Sequence, residues 1–148
     1  MKIEYVYEAF QNLQSTNIYE LLDLLKIEIT YTPLLIAYKR DSMIICDGTR
    51  QMIFLRPMVD AGYREFLLWH EVGHYILHYH PHLKMNYRVS TYRELLEQEA
   101  NLFAVFGLLV NEDLTDRRGI DAAVQKGVPP LVASDIFRLL YKHGYKLK

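Results

Sequence analysis

Trp69-His70-Glu71-Val72-Gly73-His74-Tyr75 is the stretch around which the rest of the chain has to be built. It reads H-E-x-x-H inside a run, Tyr63 to His80, whose apolar and polar residues recur at helical spacing. On an α-helix, positions i and i+4 are about 400° apart, so His70 and His74 project along nearly one line and can share one metal ion. Glu71 lies about 100° round from His70, near enough to reach a water on such an ion without being a ligand. That is the position of a general base. The plainer alternative is a buried helix with two histidines satisfied inside the core.

A metal site that acts on substrates needs a third protein ligand. Cys46 is the only cysteine, which excludes a cysteine-based zinc site and an intramolecular disulfide, so the ligands must be histidine and carboxylate. Downstream, Thr91 and Glu94 stand at capping-box spacing and open a helix that continues to Val110. Its second half is apolar almost all round and should be buried. Glu97, Glu99 and Asn101 fall where the polar part meets the buried part. A solvated face beside Arg93 would account for both carboxylates, but the first helix has a metal site lacking a ligand. Glu97 and Asn101 are i and i+4, so Glu97 is expected to coordinate while Asn101 accepts a hydrogen bond from the free N–H of a liganding imidazole. Glu99, about 200° round from Glu97, cannot face the same ion and is expected to matter little to it.

Ahead of the motif, residues 4 to 25 place apolar side chains for two short amphipathic helices broken near Ser15-Thr16-Asn17, where Thr16 or Asn17 caps the second with Glu20 as partner. From Ile27 to Leu55 the pattern turns strand-like, in runs at 27–31, 35–38, 43–46 and 51–55. Asp47-Gly48 is a hairpin signal, so an antiparallel meander of three or more strands is expected, closed by Pro57, with edges that could take a peptide as an added strand. Asp60 can cap the motif helix, which should end near His78, before Pro81. Gly73, a poor helix former, suggests that another backbone packs closely there. His78, His80 and His82 read as a solvated loop. The tail, Leu114 to Lys148, holds two helical patterns, about Gly119 to Lys126 and Leu131 to Lys142, separated by Gly127-Val128-Pro129-Pro130.

The whole chain, 1–148, fits one domain with a helical C-terminal extension from about residue 114. It is 51% hydrophobic and 24% charged, with a formal net charge of -1. That balance argues against direct nucleic-acid binding, although Arg138, Lys142, Lys146 and Lys148 make the end basic and the tail could form a helix-turn-helix shape. Met1 to Tyr5 lack the apolar core of a signal peptide and no apolar run approaches transmembrane length, so a cytoplasmic protein without a membrane partner is expected.

H-E-x-x-H on one helix followed by E-x-E-A-N-x-F-A on the next, here Glu97 through Ala104, resembles the ImmA/IrrE metallopeptidases of bacteria, phages and mobile elements. The helix-then-sheet pattern before the motif and the tail after it are similar too. The resemblance implies an α+β, zincin-like fold, with a small antiparallel sheet packed on a helical active-site core. It also implies a zinc ion whose third ligand is a Glu on the later helix, with Glu71 as base. The implied substrate is a helix-turn-helix repressor, whose cleavage switches on genes for stress response or element transfer. A zincin-fold module that binds such a repressor without cutting it is the alternative, and the complete set of catalytic residues weighs against it. A metzincin with His80 as third ligand would need Gly at position 77, where Leu77 stands. The chain departs from the family at Leu108-Leu109-Val110-Asn111, where members commonly carry a Leu-Leu-Met-Pro-like end. The departure bears on the helix ending and nearby substrate contacts, not on the metal site. An oxyanion donor is required as well, and twelve tyrosines offer no basis for choosing one.

Overall fold

Apolar residues at helical spacing build the first two helices of the computed structural model, which describes residues 2–79 and 90–145, with residues 90–93 as backbone only. Helix α1 (Ile3–Gln11) buries Ile3, Val6 and Phe10. Helix α2 (Ile18–Leu25) buries Ile18, Leu21 and Leu22. Asn17 caps α2 as its residue type predicts: its Oδ1 accepts the backbone N–H of Glu20 at 3.0 Å.

Strands β1 (Ile27–Tyr31), β2 (Ser42–Cys46) and β3 (Gln51–Leu55) form one sheet in the order β1-β3-β2. The expected meander needs correction in two places. Residues 35–38 are not a strand, because Leu34–Ala37 form a single helical turn, α3, behind Pro33. The sheet is mixed and not antiparallel throughout: β1 pairs with β3 in parallel and β2 pairs with β3 in antiparallel. The connection through α3 leads from β1 to β2 with one strand position left between them, and β3 then fills that place. Asp47 organises the β2–β3 hairpin as foreseen, its Oδ1 accepting the N–H groups of Thr49 at 2.9 Å and Arg50 at 2.7 Å, with Gly48 at φ +93°.

Helix α4 (Ala61–His78) carries the motif and α5 (Ser90–Leu109) packs along it. Asp60 sits at the cap position of α4, but its side chain makes no capping hydrogen bond. The Thr91 side chain of the capping-box pair, and His80 and His82, lie outside what the structure describes. Two glycines set how close the helices come. A Cβ on Gly107 would lie 2.3 Å from the Trp69 indole, and one on Gly73 would lie 3.1 Å from Phe103. What packs on Gly73 is thus the Phe103 side chain and not a backbone. Trp69, fully buried, closes an aromatic group with Phe10 and Phe103 at ring separations of 5.5–6.2 Å.

Helices α6 (Gly119–Lys126) and α7 (Pro130–Lys142) follow at the predicted places. They send Ala122, Ala123, Ile136, Phe137 and Leu140 into the same buried cluster as Trp69 and Phe103. Gly127, at φ +119°, rests directly on Gly62 in the first turn of α4, where a Cβ would lie 2.3 Å from the Gly62 carbonyl. The architecture is α+β, as the resemblance implied, and among the described residues no helix is long and apolar enough to cross a membrane.

Candidate metal centre

One helical stripe of α4 faces one helical stripe of α5, and the polar atoms of the molecule's interior gather along that seam. His70 and His74 stand one turn apart with ring centroids 4.7 Å from each other and planes nearly perpendicular. Both Nε2 atoms point at a single carboxylate. Glu97 places Oε2 at 3.2 Å from His70 and Oε1 at 2.9 Å from His74. Glu97, and not Glu99, therefore faces this pair. Two imidazole nitrogens and a carboxylate, converging from two rigid helices, are a donor set suited to a divalent transition metal.

His70, Glu71 and His74 bring ligand atoms within 4.8 Å of one another. Glu71 does not share Glu97's position: its Oε2 accepts the Ser42 hydroxyl at 2.6 Å, so the start of β2 holds it from the sheet side. Ser42 is placed in turn by its neighbours. Asp41 accepts from Arg56 Nε at 2.7 Å and from Tyr63 O–H at 2.5 Å, and Arg56 N–H donates to the Asp41 carbonyl at 2.9 Å. These hydrogen bonds hold the Asp41 carboxyl below its ordinary range, with Tyr63 the largest contributor.

Electrostatics bind the three groups together. Burial alone would push the His70 imidazole down, but the Glu97 hydrogen bond and the Glu71 and Glu97 charges outweigh it and raise its pKa. Burial would raise the Glu97 carboxyl, and hydrogen bonds from His70 and His74 reverse that, holding it far below the usual carboxylate range. Among the described residues no hydrogen bond reaches the buried Nδ1 of His70. Asn101 favours the protonated form of His70, yet it falls short of a formed bond to that nitrogen.

Two residues that sequence reasoning set aside belong to this seam. His78 is not in a solvated loop: it is the last residue of α4 and is 3% exposed. Its Nδ1 lies 3.0 Å from Nδ1 of His74, and its Nε2 lies 3.1 Å from Oε1 of Glu99, which is itself 6% exposed. Glu99 is therefore no solvated carboxylate. The signal for His78 was present, since 70, 74 and 78 continue one i, i+4 series.

No curated protein matches the chain. The profile of a peptidase family described as the IrrE N-terminal-like domain matches residues 22–119, a span that contains α4, α5 and every residue of the seam. With well over half of its length matched, the chain belongs to this family of metallopeptidases.

Proposed function

We propose that the protein is a zinc endopeptidase, with His70, His74 and Glu97 as metal ligands and Glu71 as general base. The carrying observation is that both imidazole Nε2 atoms converge on the Glu97 carboxylate while Ser42 holds the Glu71 carboxylate beside them. Zinc held there would supply a Lewis acid that polarises a peptide carbonyl and acidifies water. Ser42 fixes one oxygen of Glu71, and the other takes the proton of the attacking water and delivers it to the leaving amine.

Family membership and the resemblance of the paired motifs support a regulatory protein as substrate, a helix-turn-helix repressor in the cytoplasm. Incubating the zinc-loaded protein with the repressor encoded beside its gene should give one or a few cuts by mass spectrometry. Many unrelated fragments from a whole extract would count against this reading. Glu71→Gln should keep the metal and lose about 10²- to 10⁴-fold in hydrolysis, since an amide cannot take the proton. An E71Q protein that still cuts would remove Glu71 from the role. Zinc affinity should fall as pH drops through the raised pKa of His70, because protons then compete for the same nitrogens.

A further inference from the structure

We infer that His78 and Glu99 are positioning residues that fix the ring of His74 in the tautomer able to bind metal. The inference rests on the reading of His74 as a zinc ligand through Nε2. Three side chains in a row, His74, His78 and Glu99, set the proton positions. If Nε2 of His74 gives its lone pair to a metal, Nδ1 must carry the hydrogen, and the atom 3.0 Å away that can accept it is Nδ1 of His78. His78 can accept there only if its own hydrogen is on Nε2, where Glu99 Oε1 accepts it at 3.1 Å. Each group then has one consistent role: His74 donates to His78, and His78 donates to the Glu99 carboxyl oxygen. Reversing any one proton leaves two donors or two acceptors facing each other.

Burial makes this arrangement more than a surface coincidence. His78 and Glu99 are 3% and 6% exposed, and an unpaired carboxylate at such depth is expensive. A structure needing only packing would place apolar residues here, as it does at Leu77, Leu102 and Phe103. The charge of Glu99, relayed through one imidazole, also increases the donor strength of His74, as carboxylates behind metal-bound histidines do. His70 has no such backing: its buried Nδ1 has no formed bond among the described residues.

The test compares zinc affinity, by competition with a chromogenic chelator, in wild type, His70→Ala, Glu99→Gln and His78→Phe, at a temperature where each variant's circular dichroism is native. His78→Phe should weaken zinc binding about 10- to 100-fold, and Glu99→Gln, which keeps an acceptor without the charge, by a smaller factor. In ¹⁵N-histidine NMR of the zinc protein, the His74 Nδ1–H signal should be present in wild type, shifted in E99Q and lost in H78F. A purely structural role would lower stability and leave that signal unmoved. If H78F does not fold, E99Q decides. Loss of zinc in His70→Ala together with unchanged affinity and signal in E99Q overturns this inference alone. A wild-type protein that binds no zinc overturns the zinc reading, and this inference with it.

Discussion

Helix α4 is held from two sides, and the two sides are made differently. Toward α5 the contact is tightly packed: Gly107 against Trp69, Gly73 against Phe103, and the buried pair His78 and Glu99 behind His74. Toward the sheet the contact is polar and half-exposed, with Ser42 on Glu71 and Arg56 and Tyr63 on Asp41. Packed interiors do not deform by small amounts, whereas a half-exposed hydrogen bond can be replaced by water. The imidazoles proposed as ligands thus lie on the tightly packed side, and Glu71, itself buried, takes its hydrogen bond from Ser42 on the half-exposed side.

The difference can be broken most severely at Gly107. Gly107→Ala puts a methyl group into the Trp69 indole, which cannot retreat from a fully buried site. We expect a loss of about 3 kcal/mol in urea unfolding, the upper part of the range for overpacked cores, together with weakened zinc binding. Unchanged stability would mean that the helices separate freely. On the sheet side, Ser42→Ala should cost about 1 kcal/mol, lower kcat through a less well-held Glu71, and leave zinc affinity as it was. Zinc binding that falls with S42A would erase the distinction between the two sides.

Asp41→Asn should cost less still, and its effect carries a pH signature. The Asp41 carboxyl is depressed in the folded protein, so its contribution is complete above its unfolded pKa and is lost as pH falls through the folded value. Stability of wild type and D41N, compared by thermal unfolding from neutral to acid pH, should converge at the acid end. A gap that persists there would assign the effect to shape and not to charge. Gly73→Ala is the smallest. The better helix propensity of alanine, about 1 kcal/mol, offsets the strain of a 3.1 Å contact with the fully buried Phe103, a much milder overlap than the 2.3 Å contact at Gly107, so the net change should be near zero.

How far the sequence could be read follows the same division between local and distant interactions. The break before α2, the Asn17 cap, the Asp47-Gly48 hairpin and the limits of α4, α6 and α7 were legible because neighbouring residues determine them. Residues 35–38 misled because only Leu35 is buried between exposed Leu34 and Ile36, a pattern that one helical turn and a short strand share. The parallel pairing of β1 with β3 joins segments with another strand between them, and no local pattern encodes it. In the site, Glu97 turns toward His70 and His74, whereas Asn101, one turn on, forms no bond to the buried His70 Nδ1. The partnership of His78 with Glu99 was missed because a histidine at a helix end, before a polar stretch, looks solvated until the facing helix is in place.

The contact between Gly62 and Gly127 bears on how such a protein could be cut and recombined. The stretch matched to the family ends at residue 119, yet the backbone touching the first turn of the motif helix is at 127. The end of the matched stretch and the mechanical boundary therefore do not coincide. An exchange of C-terminal segments between relatives at the end of the matched stretch would import a different surface against Gly62. It would be tolerated only if the incoming turn also presented bare backbone, because Gly127 leaves no room for a side chain there.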